Sequence, residues 1–370
     1  MPNEKICQIA LTLIPGVGNI LIKQLVSYCG SAEAVFKSKK HLLSKIPGIG
    51  IVHANTIRNA NTFDQAEQTL KNAENKGIAV YFYTEKNYPH NLKQIYNAPS
   101  VVYVKGQADL NREKIVGIVG TRNATSYGKE ITASIISGLR RHKPLIVSGL
   151  AYGIDIHAHR QALKANLPTL GIMASGLDII YPSHHKSTVN EMITQQGGLL
   201  SEYAVGVKLD PHNFPARNRI IAGISDVLII VEAARQGGAL ITANIADTYN
   251  KDIFAVPGNI TNQYSEGCNL LIRHHKANIF TQIADLEKHM GWDMPNAPKT
   301  GSDRFKNHEL RCTDEELKIV EIIKLKSAGM LIDEISFKTQ LPINRIANLL
   351  LQMEFKGIVK ALPGKKFILI

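Results

Sequence analysis

Gly117-Ile118-Val119-Gly120-Thr121-Arg122, running on through Ser126-Tyr127-Gly128 into a helix-length segment, is the stretch from which the fold can be read. A β-branched run, Ile115 to Val119, stops at a glycine turn and gives way to helical spacing. The same rhythm recurs downstream. Leu145 to Ser148, Thr169 to Met173, Gly198 to Ser201, Val227 to Val231 and Ile253 to Val256 are short apolar runs, each leading into a polar, glycine-containing turn. Near-continuous apolar strands suit a parallel sheet covered on both faces, whose crossovers require intervening helices. The expected fold is therefore α/β, a Rossmann-like doubly wound and mostly parallel sheet over residues 76–290. In such sheets ligands bind outside the carboxyl ends of the strands, which is where chemistry is sought.

The flanks have a different texture. Residues 1–75 carry apolar positions at helical spacing and repeat one turn, Ile14-Pro15-Gly16-Val17-Gly18 and Ile46-Pro47-Gly48-Ile49-Gly50, which predicts a helical domain built on short hairpins. Residues 291–310, with Met294-Pro295-Asn296-Ala297-Pro298 and Gly301-Ser302-Asp303, read as a linker. In residues 311–370, Thr313 and Glu316 make a capping box ahead of Leu317-Lys318-Ile319-Val320. Helical segments around Ile335 and from Ile343 to Phe355 follow, and a hairpin turns through Pro363-Gly364-Lys365 into Phe367-Ile368-Leu369, which together describe a winged helix.

With 370 residues and 44% apolar content, the chain can bury a substantial core across two or three domains. Its formal charge of +12 favours a polyanionic partner, since Lys and Arg can replace the counterions condensed on phosphates. Cys7, Cys29, Cys268 and Cys312 are scattered without CxxC spacing, so they are expected to be reduced, structural thiols. No apolar run approaches the roughly 20 residues needed to span a bilayer. The N-terminal apolar stretch is broken at Pro15-Gly16, unlike a secretory signal, and a cytoplasmic location is expected.

Four strand ends are candidates for function. At Gly120-Thr121-Arg122 the glycine admits an anion to backbone amides, Thr121 can donate a hydroxyl, and Arg122 offers a planar fork for phosphate oxygens. The dinucleotide fingerprint Gly-x-Gly-x-x-Gly, with its acidic residue about 20 positions on, is not met, so no nucleotide cofactor is expected. The plain alternative is a tight turn with a solvated arginine. The second, Ser148 to Asp155 with His157 and His159, suggests metal ligands, but residues two apart on a helix diverge, and no metal is expected. The third places Phe214, Arg217, Asn218 and Arg219 at the head of an apolar helix, where a base can stack on Phe214 and a guanidinium can meet phosphate. Its structural alternative has Phe214 stapling the helix and one arginine pairing with Glu202 or Glu232. The fourth follows Glu232: Gly237-Gly238 opens a helix and makes a further anion cradle, with Glu232 read as a structural partner of arginine rather than a catalytic carboxylate. The pairs His184-His185 and His274-His275 are expected at the surface.

At these residues the chain resembles the DNA-processing protein A (DprA, or Smf) family of bacteria. The resemblance is carried by Gly120-Thr121-Arg122 with Tyr127-Gly128, Ser148 to Ala151 with Gly153-Ile154-Asp155 and Ala158-His159, and Gly176-Leu177-Asp178 with Tyr181-Pro182. Ser201-Glu202, Phe214 through Gly223, Val231-Glu232-Ala233, Leu240 to Ala243 and Val256-Pro257-Gly258 continue it in order across residues 85–280. The resemblance implies a nonenzymatic homodimer that binds single-stranded DNA, protects incoming strands and loads the RecA recombinase in natural transformation. It also implies a sterile-alpha-motif-like N-terminal domain and, in many members, a winged helix, and it assigns DNA contact to Gly120, Thr121, Arg122, Phe214, Arg217 and Asn218.

Three departures bear on the groove. Tyr152 stands where arginine is usual, Gln236-Gly237-Gly238-Ala239 replaces Ser-Gly-Ser, and Asp210-Pro211 replaces a lysine, with Lys208 nearby as a weaker candidate. The Pro-Gly-x-Gly turns resemble helix-hairpin-helix motifs, which can hold a phosphate without reading sequence. In the last domain Arg345 and Asn348 can face a groove and Lys365 and Lys366 can reach phosphates, with protein binding as the alternative. The rival to DNA binding is a nucleotide-processing enzyme, an N-glycoside hydrolase with Glu232 or Glu202 as its acid or nucleophile.

Overall fold

All six expected apolar runs are strands, to within a residue at each end, and three further strands extend the sheet. In chain order these are β1 (Ala79–Phe82), β2 (Val101–Gly106), β3 (Ile115–Val119), β4 (Leu145–Ser148), β5 (Thr169–Ile172), β6 (Gly198–Ser201), β7 (Val227–Ile230), β8 (Asp252–Ala255) and β9 (Asn278–Ile279). The computed structural model describes residues 3–292, 313–324, 330–356, 358–362 and 366–369. It divides into two compact units, Met1–Trp292 and Asp293–Ile370.

In the first unit the sheet order is β1-β2-β6-β5-β4-β3-β7-β8-β9. β2 pairs antiparallel with both β1 and β6, and the other neighbours are parallel. From β3 the chain builds outward through β4, β5 and β6, then returns to the other side of β3 with β7. The order therefore reverses between β3 and β7, whose ends are in register at Val119 and Ile230. Helices leaving these two strands diverge to opposite faces and open a crevice between them.

The helices of this unit are α1 (Glu4–Thr12), α2 (Asn19–Cys29), α3 (Ala32–Lys37), α4 (Lys40–Leu43), α5 (Ile51–Arg58), α6 (Phe63–Asn75), α7 (His90–Lys93), α8 (Ser126–Leu139), α9 (Ile154–Lys164), α10 (Lys186–Thr194), α11 (Asn213–Ile224), α12 (Gly238–Thr248), α13 (Glu266–Arg273) and α14 (Ile283–Met290). Strand residues alternate between two cores. Ile115, Val119, Val147, Leu228 and Ile230 pack with Ile220 and Ile221 of α11 and Ala243 of α12. Val116, Ile118, Ile146, Val227 and Ile229 pack with Ile135 of α8 and Ala158 of α9. Each fully buried Ile, Leu or Val contributes about 1.5–3 kcal/mol by leaving water, which explains why both faces of these strands are apolar. The helical segment α1–α6 joins a third cluster, in which Leu11, Ile22 and Leu25 share a core with Phe82, Leu150 and Leu199.

The two repeated turns are alike in geometry. Gly16 and Gly48 have φ of +79° and +77°, and Gly18 and Gly50 cap α2 and α5. Each turn faces the helix begun by the other: a Cβ on Gly16 would lie 3.9 Å from His53 of α5, and one on Gly48 3.1 Å from Gln24 of α2.

In the second unit α15 (Asp314–Lys324), β10 (Met330–Leu331), α16 (Ile332–Thr339), α17 (Ile343–Phe355), β11 (Val359–Leu362) and β12 (Lys366–Leu369) enclose a core of Ile319, Ile323, Ile335, Ile346, Leu350 and Met353. Its sheet order is β10-β12-β11, all antiparallel. The capping box is present, Thr313 N donating to Glu316 Oε2 at 2.9 Å and Glu316 N to Thr313 Oγ1 at 3.4 Å. Arg345 is engaged by Glu315 at 2.9 Å. Of the linker expected at 291–310, Gly291 and Trp292 end the helix Ile283–Met290 and pack with the first unit, and the rest, with Cys312 and the turn Pro363-Gly364-Lys365, lies outside the described residues.

The antiparallel join of β2 to β6 depends on Gly106, at φ +112°, where an added Cβ would sit 2.4 Å from Gly197 O and 2.7 Å from Gly198 Cα. Gly106→Ala combines a backbone clash with an unfavourable φ. It should lower unfolding free energy by about 2–4 kcal/mol in urea titration.

Candidate functional site

The crevice between β3 and β7 is a cleft of about 650 Å³. It brings together eight of the nine residues expected at the site: Gly120, Thr121, Arg122, Phe214, Arg217, Asn218, Gly237 and Gly238 all line it. Arg219 does not.

Glycine lets the loop after β3 lie against the loop after β4. A Cβ on Gly120 would meet Ile154 Cγ1 at 2.5 Å, and one on Gly153, at φ +79°, would meet Thr121 O at 2.2 Å. Ile154 N donates to Thr121 O at 3.1 Å, and Thr121 N donates to Glu232 O at 2.7 Å. The Glu232 side chain, 1% exposed, accepts from Thr125 N at 3.0 Å and from Thr125 Oγ1 at 2.5 Å. Thr125 in turn caps α8 by accepting from Gly128 N at 3.2 Å. Glu232 is thus a structural carboxylate, as expected, but its partner is Thr125 at a helix start and not an arginine.

α11 presents one face to the cleft: Phe214, Arg217, Asn218 and Ile221 fall at i, i+3, i+4 and i+7. Arg219 is out of phase with that face and pairs with Glu202, so the structural alternative describes it correctly. Arg217 is 6% exposed and donates to Ile172 O and, at 3.3 Å, to Asn218 Oδ1. Burial lowers its pKa, with the Asp155 charge opposing and the nearby Arg122 charge adding. Burial likewise raises the Asp155 pKa, against the pull of Arg217. Asn218 Nδ2 donates to Gly238 O at 3.4 Å, tying α11 to the start of α12. No side chain caps that start, so its first amides face the cleft uncapped.

Arg122 is exposed, and among the described residues no carboxylate lies within ion-pairing distance of it. Its guanidinium carbon stands 5.7 Å from the centre of the Phe214 ring. Tyr181 meets Phe214 edge-on at 6.3 Å. Tyr152, Tyr181, Phe214 and Arg122 surround a smaller hollow beside the main cleft. The two tyrosines stand beside the expected residues without being among them; an aromatic near an anion loop is the signal in the sequence that points to them. Lys208 is exposed and does not line the cleft.

The side chains of the Asp155-to-His159 segment diverge. Asp155 faces Arg217, and His157 Nε2 contacts Lys129 O at 3.1 Å. His159 is buried between Gly149 O at 2.7 Å and Thr169 Oγ1 at 2.6 Å. His185, expected at the surface, is instead 3% exposed, with Nδ1 against Leu150 O at 3.0 Å. No apolar run surrounds it in sequence; the turn after Pro182 folds it inward.

A doubly wound α/β protein with its cleft at the topological switch point is the class that fold and site define. The chain belongs to the DNA recombination-mediator protein A family, which matches residues 79–291. It is 32% identical to Protein Smf of Synechocystis over 400 residues, covering 99% of this chain and 98% of that protein. It is 39% identical to the DNA processing protein DprA of Bacillus subtilis over 199 residues, covering 54% of this chain and 67% of the relative. Among solved structures, DprA of Streptococcus pneumoniae superposes with a TM-score of 0.62 at 32% identity, over 77% of this chain and 97% of the other. The DNA processing protein A of Helicobacter pylori, solved for its single-stranded DNA binding mode, gives 0.53 at 30% identity, over 58% and 96%. No helix of the described residues is long and apolar enough to cross a membrane.

Gly128→Ala would place its Cβ 2.1 Å from Glu232 Oε2; it should destabilise by about 2 kcal/mol or more in urea and increase amide exchange across 120–128. Burial holds the His159 pKa at about 4, below the ordinary 6.5. Because the folded value is depressed, its stabilising effect is complete above pH 6.5 and is lost as pH falls towards 4. Between pH 7 and 4.5 the wild type should lose about 2–3 kcal/mol through this group. Urea unfolding of the wild type and His159→Gln at both pH values should show the gap between them narrowing by that amount.

Proposed function

We propose that this chain binds single-stranded DNA in the switch-point cleft, with phosphate held by Arg122, the Thr121 hydroxyl and the uncapped amides at Gly237 and Gly238, beside the loop at Gly120, and a base stacked on Phe214. The observation that carries this reading is the guanidinium of Arg122, without an ion-pair partner among the described residues, set over the Phe214 ring, a cation and a π-face offered together at the mouth of a glycine-lined cleft. Phosphate needs the first and an unstacked base needs the second. Arg217 and Asn218 form the wall behind them, and Arg219 acts through Glu202 to hold α11 in place. The single-stranded DNA binding mode of the H. pylori relative supports the choice of strand.

The family's description as a recombination mediator supports the wider role, in which the protein protects incoming strands and loads RecA during natural transformation, as a cytoplasmic homodimer. The same reading takes 1–75 as a sterile-alpha-motif-like domain with two helix-hairpin-helix turns, 76–290 as the DNA-binding domain, 291–310 as the linker and 311–370 as a winged helix. The related geometry of the two Pro-Gly-x-Gly turns supports the first assignment, and three helices with a small antiparallel sheet support the last. The enzyme alternative draws no support from its carboxylates: Glu232 holds Thr125, and Glu202 holds Arg219.

Arg122→Ala should weaken binding of labelled oligo-dT about tenfold at moderate salt and flatten the slope of log K against log salt by about 0.7. Fluorescence anisotropy at several salt concentrations, with unlabelled duplex as competitor, measures both. Unchanged affinity and slope would remove Arg122 from the interface, and equal competition by duplex would remove the single-strand preference.

A further inference from the structure

Arg122 is a ridge between two hollows. On one side lies the switch-point cleft; on the other, an open depression of about 290 Å³ is lined by Arg122, Lys129, Tyr152, His157 and Arg160, and no carboxylate lines it. Lys129 and Arg160 are exposed, and Arg160 Nε also donates to Thr188 Oγ1 at 3.3 Å. Burial holds the His157 imidazole below its ordinary pKa, against the contact with Lys129 O, and the charges of Lys129, Lys164 and Arg160 add to the lowering.

Tyr152 does not line the switch-point cleft itself but stands between the depression and the small hollow beside that cleft. Its ring lines this depression and the small aromatic hollow beside Phe214. It is 45% exposed and steadied edge-on by His185 at 5.0 Å. His185 is itself fixed by its contact with Leu150 O. A flat, half-exposed ring held in place between two cationic hollows suits a base whose flanking phosphates lie one in each.

We propose that the depression is a second phosphate subsite, which takes the phosphate next along the strand from the one in the cleft, with Tyr152 as the stacking surface between them. This rests on the single-strand reading above and adds a direction to it: the strand crosses Arg122 from the end of β3 towards α8 and α9. Lysine and arginine here act as point and fork charges on solvated phosphate, so the subsite is indifferent to base identity.

The test is binding of labelled dT20 to Lys129→Ala/Arg160→Ala, with Arg122→Ala alongside and thermal midpoints as a check on folding. Loss of the one phosphate held there should flatten the salt slope by roughly 0.7 and weaken binding roughly five- to tenfold at 0.1 M salt. Tyr152→Ala should lose at least about fivefold, while Tyr152→Phe, which keeps the π-face, should bind like wild type. The second subsite is overturned if the double variant keeps wild-type affinity and slope while Arg122→Ala is weakened. Wild-type binding by Arg122→Ala as well would sink the parent reading with it. Should the double variant fail to fold, the milder Lys129→Gln/Arg160→Gln pair must flatten the slope by roughly 0.7, and an unchanged slope rejects the subsite.

Discussion

The buried carboxylate of Glu232 holds the two halves of the sheet's working edge together. It lies just past β7, yet its hydrogen bonds go to Thr125, at the end of the loop that leaves β3. These strands are the pair between which the sheet order reverses. The main chain already joins the strand ends, through Val231 N to Val119 O and Thr121 N to Glu232 O, and the Glu232 side chain extends that join to the start of α8. An isolated buried charge would be costly. Here the charge accepts an amide and a hydroxyl and sits at the positive end of α8, whose dipole favours an anion. Gly128 is the counterpart of that arrangement, since any side chain there would occupy the space of the carboxylate.

Behind this tie the cleft has a charge imbalance. Arg217 and Arg122 face it, and Asp155 is the carboxylate among its lining residues. Arg217 is engaged structurally, by Ile172 O and Asn218, which leaves Arg122 as the cation that can change partners. The two guanidiniums therefore divide the work. The buried one fixes the position of α11 and with it Phe214, while the exposed one, resting on the Phe214 face, stays available for ligand.

The alternation of apolar runs with helix-length segments makes β3 to β8 legible, because a strand buried on both faces must be apolar throughout. β1 and β2 escape the same reading. They join the sheet antiparallel, need no crossover helix, and so break the strand-turn-helix rhythm on which recognition depends. Eight site residues are legible for a related reason: glycines and polar groups collected at the ends of buried strands contribute little to a core and are suited to holding a ligand. Arg219 is the ninth, and helical phase suffices to exclude it. The divergence of residues two apart that separates His157 from His159 separates Arg217 from Arg219 equally. His185 is not legible as a buried residue, because its burial comes from the turn after Pro182 and leaves no periodic trace.

Helical phase also explains how a short segment can serve both structure and ligand. Between Phe214 and Ile221 the cleft-facing positions carry an aromatic ring, a guanidinium and an amide, and Arg219, about 100° from Asn218 in an ideal helix of about 3.6 residues per turn, turns to Glu202. Glu202 follows β6, so this ion pair anchors α11 to a strand end on the far side of β3 from β7. Asn218, by contrast, reaches Gly238 at the start of α12, which follows β7. α11 is therefore fastened to both halves of the sheet, by two neighbouring residues pointing in different directions. A displacement of β6 relative to β7 would be transmitted through this helix to Phe214, and with it to the surface on which Arg122 rests.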